Sequence, residues 1–325
     1  MSIPVTVLMT TYNCSSFIRI AIKSILIQTY SNFELLIIDD GSTDNTEEII
    51  SEFKDARIRY IKGSHLGRSQ SLNVGLNNAS NEIIALMDAD DIAAPNRLEI
   101  QIKNFSNKIN EVIFVSAAFF INQRIIFIGD LNVTHEKFYN KLALHGPYNN
   151  STALFHKNHI LLNGGFNNSL TIGEDQELWL RLKDISSFIQ VPEILYFIRF
   201  RESSLTFDHF NSKKNVTFQL LQKYYENLQD SFGLKSVFEQ YKLRGWREFF
   251  YGSKKNIWRE WSKVKIRFWN LKMIFAYVFS FLPDNFLNWF KQNRINLKIR
   301  YWIFRIFSKN SIQKNFNKLI FRLTN

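Results

Sequence analysis

Short apolar runs alternate with amphipathic stretches over roughly the first hundred residues. Pro4–Met9 is apolar and rich in β-branched residues, and it predicts a strand. In Ser16–Ile27, Phe17, Ile20, Ala21 and Ile25 recur at helical spacing. Phe33–Ile38 is again continuously apolar and stops at Asp39-Asp40-Gly41. Asp44, with Glu47 three residues on, resembles an N-cap and capping box heading a helix over Glu47–Phe53. Ile58–Ile61 predicts a third strand and Ser69–Ala79 a third helix. Ile83–Met87 predicts a fourth strand, ending at Asp88-Ala89-Asp90-Asp91, and Pro95–Phe105 a fourth helix with proline near its first turn.

Fully apolar strands alternating with helices call for an α/β fold, doubly wound, with a mostly parallel sheet covered on both faces. Ligands of such sheets sit beyond the C-terminal ends of the strands. Thr10-Thr11, Asp39-Asp40 and Asp88-Ala89-Asp90 all fall there, so three separate segments deliver oxygen ligands to one crevice. Past residue 110 the pattern changes. Val112–Ile121 and Arg124–Ile128 read as a β-ribbon turned at Asn122-Gln123, Ser151–Phe155 as a strand, Glu174–Leu182 as a short amphipathic helix and Ile194–Phe200 as a last strand. From about Phe207 the spacing becomes helical, with Val216, Leu220, Tyr224 and Leu228 one turn apart. Residues 1–206 are therefore expected as one domain and 207–325 as a helical, basic and aromatic C-terminal region.

Charge sharpens that division. Residues 1–206 carry 18 Lys+Arg and 22 Asp+Glu; residues 207–325 carry 23 and 7. Six of the seven tryptophans lie in the second part: Trp246, Trp258, Trp261, Trp269, Trp289 and Trp302. Basic, aromatic helices suit the interface of an anionic bilayer; a packed helical subdomain and a nucleic-acid surface are the competing uses of the same residues, the last the least favoured. The longest apolar run, Met273–Leu282, falls short of the roughly 20 residues that a spanning helix needs. Cys14 is the sole cysteine, which fits a reducing compartment, and the N-terminus has no signal-peptide pattern. A cytoplasmic protein, peripheral on the inner face of the membrane, is the expectation.

Asp88 and Asp90, two residues apart after a buried strand, can face the same way and would repel unless a divalent cation, Mg²⁺ or Mn²⁺, sits between them. The alternative is an acidic turn capping the next helix. Asp39 or Asp40 can accept a hydrogen bond from a base N–H, or serve only the strand-to-helix turn. Glu174 and Asp175 read locally as helix-start acids favoured by the dipole; their functional use would be as a general base. No phosphate loop with lysine and threonine and no G-x-G-x-x-G fingerprint is present, which argues against nucleotide hydrolases and Rossmann dehydrogenases.

These segments together resemble the family 2 inverting glycosyltransferases, a bacterial group with the GT-A fold. The resemblance is carried by V-T-V-L-M-T-T-Y-N at 5–13, S-I-L-I-Q-T-Y at 24–30, F-E-L-L-I-I-D-D-G-S-T-D at 33–44 and G-R-S-Q-S-L-N-V-G-L at 67–76. It continues through M-D-A-D-D at 87–91, R-L-E-I-Q at 97–101, G-G-F at 164–166 and E-D-Q-E-L-W-L-R-L at 174–182. It implies that Thr11 and Asp40 hold a nucleotide base, uracil or thymine, and that Arg68 approaches the base or the diphosphate. It implies further that Asp88 lies by the ribose and donor sugar, that Asp90 binds Mn²⁺ or Mg²⁺, that Asp175 is the catalytic base and that Glu174 contacts acceptor or donor. The implied partners are a nucleotide-sugar donor and a glycan or lipid-linked glycan acceptor of surface-polysaccharide assembly, with no nucleic acid. Where relatives often carry Tyr-Arg-x-His, this chain has Ile198-Arg199-Phe200-Arg201, so Arg201 replaces a potential metal ligand with a phosphate-pairing cation. The rival is a catalytically silent nucleotide-sugar-binding or membrane-associated scaffold protein. The loops around 129–150 and 156–173 are expected to shape acceptor choice.

Overall fold

The structure is a computed structural model that describes residues 2–128, 149–200, 245, 254–265, 269, 271–281 and 310–324. The chain divides into two compact units. The first comprises residues 1–135, 148–202 and 304–325, and the second comprises 136–147 and 203–303.

The first unit is built on one sheet. The alternating half contributes β1 (Val5–Thr11), α1 (Ile18–Leu26), β2 (Phe33–Asp39), α2 (Thr46–Ser51), β3 (Ile58–Lys62), α3 (Arg68–Asn78) and β4 (Ile83–Asp88). Then follow β5 (Ile92–Ala93), α4 (Arg97–Asn104), β6 (Glu111–Ile121), β7 (Arg124–Ile128), β8 (Ala153–His156), α5 (Lys157–Leu162), α6 (Glu174–Leu182) and β9 (Ser187–Arg199). The strand order is β3-β2-β1-β4-β8-β6-β9-β5, with β7 paired to β6. The β3-β2-β1-β4 half is parallel throughout, while β8 runs antiparallel to both β4 and β6. Every residue of β1 is buried, as expected for a strand covered on both faces.

Packing here is close. A Cβ added at Gly75 on α3 would fall well inside contact distance of the Leu8 side chain on β1, and Leu8 has no exposed surface. Gly75→Ala is expected to lower stability by about 1–3 kcal/mol through overpacking, read as a shift of the urea midpoint at unchanged slope.

Three expectations need correction. Asp44 does not form a capping box with Glu47. Asn45 is the N-cap of α2, without a side-chain cap bond. Asp44 instead accepts the N–H of Thr46 at 3.1 Å and of Ser15 at 3.0 Å, tying two loops together, and Glu47 pairs with Lys62. The last strand begins not at Ile194 but at Ser187. Pro192 interrupts the apolar run, yet the strand passes it on a bulge, where the pairing jumps from Val115↔Val191 to Ser116↔Ile194 and needs no N–H from proline.

The third correction concerns the boundary at residue 206. A helix at Asn310–Thr324, α9, belongs to the first unit. Its Phe316, Leu319, Ile320 and Leu323 are buried in the main core. The Phe316 ring lies 4.9 Å from that of Phe120 and 4.6 Å from that of Phe197. Gln313 accepts the N–H of Ile125 and donates to the carbonyl of Gln123, so it also holds the β6–β7 turn. The apolar period of α9 is indistinguishable in sequence from that of its basic neighbours; only its partners assign it to the core.

In the second unit, α7 (Lys254–Trp261) and α8 (Leu271–Phe279) enclose a small core of Ile257, Trp261, Val264, Met273 and Ala276. No helix among the described residues is long and apolar enough to cross a membrane.

Candidate active site

The parallel register brings the polar strand ends together. Thr11 pairs with Asp39 across β1 and β2, and Thr10 with Asp88 across β1 and β4. Helices start just beyond this edge, and the segments 39–44, 65–68 and 88–91 line it.

Asp39, the last residue of β2, and Asp40, just past it, part ways. Asp39 is fully buried; it accepts the N–H and the hydroxyl of Ser42 at 2.8 and 2.7 Å and the hydroxyl of Tyr60 at 2.8 Å. It serves the turn. Burial, with Asp39 alongside, pushes the Tyr60 phenol above its ordinary value, so the bond keeps its proton on the tyrosine. Asp40 reaches across to the next loop, where its carboxylate accepts the N–H of Leu66 at 2.8 Å and of Gly67 at 3.0 Å. Its own N–H donates to the Thr11 carbonyl at 2.8 Å. Gly67, at φ 95°, then swings the chain into α3, and Arg68 is the first residue of that helix. Asp40 therefore ties the end of β1 to the loop that aims Arg68. The hydroxyl of Thr11 is buried and has no hydrogen-bond partner among the described residues. At the rim, His65 in the left-handed region at φ 58° stacks on Tyr12, centroids 4.1 Å apart.

Arg68 joins the remaining candidates. Its guanidinium lies 2.7 Å from Asp88 and 3.0 Å from Glu174. Burial works against its charge, but Asp88, Glu174 and Asp175 outweigh burial and hold the group above its ordinary value. Glu174 and Asp175 open α6 after Gly173, whose left-handed φ of 80° allows the abrupt helix start. The Asp175 carboxylate accepts the N–H of Gln176 at 2.7 Å and remains partly exposed.

Asp88, Asp90 and Asp91 present carboxylate oxygens within 4.8 Å of one another. Such hard donors suit a divalent cation of the Mg²⁺ or Mn²⁺ kind. Asp91 is the buried member; it accepts the N–H of Arg199 at 2.8 Å. Burial, with Asp90 and Asp88 adding repulsion, pushes its carboxyl well above the usual range.

Three residues outside the expected site support this cluster. Tyr196, fully buried, accepts the N–H of Asp88 at 3.0 Å and hydrogen-bonds the Asp91 carboxyl. Arg97 lies under the Tyr196 ring at 4.8 Å and donates to the carbonyls of Leu86 and Ser151 at 2.8 and 2.9 Å. Burial lowers its guanidinium to about 10. Arg199, between the rings of Phe17 and Phe120, donates to the Asp90 carbonyl at 2.8 Å. A tyrosine and an arginine in the apolar run Ile194–Arg199, and an arginine opening α4, were the available signals. Thus Thr11, Asp40, Arg68, Asp88, Asp90, Glu174 and Asp175 all lie along one edge. Arg201 lies outside the described residues, as does 129–148 of the first acceptor loop.

The family model described as "Glycosyl transferase family 2" matches residues 6–166. Over 213 residues the chain is 33% identical to the UDP-Glc:alpha-D-GlcNAc-diphosphoundecaprenol beta-1,3-glucosyltransferase WfgD of Escherichia coli, covering 65% of this chain and 82% of that one. Among solved structures, S. aureus TarS 1-349 in complex with UDP-GlcNAc superposes with a TM-score of 0.58 at 17% identity, covering 93% of this chain and 92% of that one. The mannosyltransferase PcManGT of Pyrobaculum calidifontis, in complex with GDP-Man and Mn²⁺, gives 0.57 at 15% identity, covering 95% and 89%. At such identities the structural likeness shows the GT-A fold.

Proposed function

Because this chain belongs to glycosyltransferase family 2, we propose that it moves a hexose-type unit from a UDP- or dTDP-sugar to a lipid-linked glycan, with inversion, in surface-polysaccharide assembly. The observation that carries this reading is the convergence of Thr11, Asp40, Arg68, Asp88, Asp90, Glu174 and Asp175 at the C-terminal edge of the parallel half of the sheet. The name of the E. coli relative, a glucosyltransferase with a diphosphoundecaprenol acceptor, supports the choice of donor and acceptor class.

In this reading the unpartnered Thr11 hydroxyl and the Asp40 carboxylate face the base, whose N–H and carbonyl groups complement an oxygen acceptor and a hydroxyl. Arg68 lies against the diphosphate side, its charge balanced by Asp88 and Glu174. Asp88 and Asp90 would hold Mn²⁺ or Mg²⁺, which when bound stabilises negative charge on the departing diphosphate. Asp91, buried and hydrogen-bonded behind them, braces the turn. Asp175 takes the proton of the acceptor hydroxyl as that oxygen attacks the anomeric carbon. The attack comes from the face opposite the diphosphate, and the anomeric configuration inverts. The enzyme would work at the inner face of the cytoplasmic membrane, where lipid-linked acceptors present their sugars.

Thermal unfolding with UDP, dTDP, GDP and CMP, each with and without Mn²⁺, tests this. One uridine or thymidine diphosphate at ~100 times its dissociation constant should add ~2.7 kcal/mol in the presence of Mn²⁺. Asp90→Ala should lose the Mn²⁺-dependent part of that gain. Stabilisation by none of the four nucleotides would overturn the donor assignment. A cation-dependent gain retained in Asp90→Ala would overturn the metal assignment alone.

A further inference from the structure

The second unit carries an apolar stripe that its own core leaves uncovered. One side of α8 is closed: Met273 is fully buried and Ala276 nearly so, and Tyr277 packs on Trp261 and Trp269. On the other side Ile274, Val278 and Phe281 are 43, 59 and 60% exposed. Ile274 and Val278 lie one turn apart on the same face of α8, and Phe281 follows in the turn just past its end, its N–H bonded to the Val278 carbonyl at 3.1 Å. The stripe ends in aromatic rings. Phe281 stacks on Trp258 at 4.9 Å and meets the edge of Tyr277 at 5.3 Å, and the Trp258 indole donates to the Ser280 hydroxyl at 2.7 Å. Lys255, Arg259, Lys263 and Lys265 are exposed, and the one acid among the described residues of this unit, Glu260, is buried and pairs with Arg259 at 3.2 Å and Lys263 at 3.9 Å, so the exposed charge is net positive.

We propose that Ile274 and Val278 of α8, with Phe281 just past its end, form a membrane-contact surface that enters the headgroup boundary of an anionic phospholipid bilayer. The proposal rests on the peripheral-membrane part of the function proposed above and assigns residues to it. Apolar and aromatic groups at the acyl boundary, with lysine and arginine at headgroup level, are what such a surface requires. A second copy of the chain is the poorer occupant, because a two-fold contact sets each basic unit against another of the same charge. A nucleic acid would neutralise the lysines and arginines but offer the exposed isoleucine and valine no apolar partner. At nine residues α8 is too short to span a bilayer, so it would lie in the interface.

The test uses the full chain, since removing everything after residue 260 would also take α9 out of the catalytic core. Flotation with phosphatidylcholine vesicles, and with vesicles containing about a third phosphatidylglycerol, should show binding to the second kind only, weakened by high salt. The double variant Ile274→Ser, Val278→Ser should lose about tenfold in vesicle affinity and keep the UDP-dependent thermal shift of the wild type. Quenching of tryptophan fluorescence by brominated lipid in the wild type gives a readout independent of any variant, and strong quenching is expected. No binding to anionic vesicles, no quenching, or wild-type vesicle affinity in a folded double variant would each overturn the proposal. So would loss of a wild-type dimer in the double variant, which would give the stripe to a second copy. Vesicle binding without any nucleotide shift would leave the membrane face standing and bring down the donor assignment instead.

Discussion

Asp175→Asn is expected to bind donor nucleotide as the wild type does and to transfer sugar ~10²–10⁴-fold more slowly, the usual contribution of a positioned general base. The two acids that open α6 are not interchangeable. Glu174 is buried and lies 3.0 Å from Arg68, so its negative charge is committed to fixing that guanidinium. Asp175 is more open, and its partner is the N–H of Gln176. Asparagine preserves that contact and the side-chain shape but cannot take a proton. Glu174→Gln should behave differently: it loosens Arg68 and should raise the donor KM more than it lowers kcat. The check is transfer of labelled sugar from the stabilising nucleotide-sugar to a lipid-extracted acceptor, beside nucleotide binding by thermal shift. Wild-type transfer by Asp175→Asn would place the base elsewhere.

Arg97→Met is expected to cost about 3 kcal/mol of stability and to weaken Mn²⁺-dependent nucleotide binding, although Arg97 touches neither ligand. Arg97 has no exposed surface, and the Leu86 and Ser151 carbonyls and the Gln101 side chain all depend on its donors. Methionine fills similar volume but leaves these acceptors unsatisfied, at about 1–3 kcal/mol for each that finds no water. Loss of the buried charge offsets part of that, because its guanidinium is already lowered to about 10 by burial. The same change removes the cation from beneath the Tyr196 ring, whose hydroxyl holds the Asp88 N–H. Urea denaturation reads the first effect and Mn²⁺ titration of nucleotide binding the second. A destabilised variant with wild-type Mn²⁺ dependence would confine Arg97 to the core.

The parallel half of the sheet was legible because it obeys one local rule, that a strand buried on both faces is apolar throughout. β1, β2 and β4 stand within a residue or two of their expected bounds, and the acids that follow them mark the crevice. What stayed hidden depended on partners distant in sequence. Asp39 and Asp40 are chemically identical neighbours; only Tyr60 and Ser42 on one side and the 66–67 amides on the other decide which serves the turn. Tyr196 reaches Asp88 across 108 residues, and no local pattern signals that. Helix α5 was missed because Lys157–Leu162 is too short to display a period.

The packing of α9 has a consequence for how the chain acquires its structure. Phe316 closes over Phe120 and Phe197, yet roughly two hundred residues separate it from the first and more than a hundred from the second. During synthesis at about 5–20 residues per second, those phenylalanines wait roughly 6 to 40 seconds for their cover while residues 203–303 of the second unit are made. Most of that unit, residues 203–303, is in effect an insertion between β9 and α9, and closing so long a loop delays the last core contacts in the way that high contact order slows folding. Until α9 is made, Phe120 and Phe197 lack the ring that covers them in the finished fold, and any sheet formed by then would leave that aromatic face open to solvent.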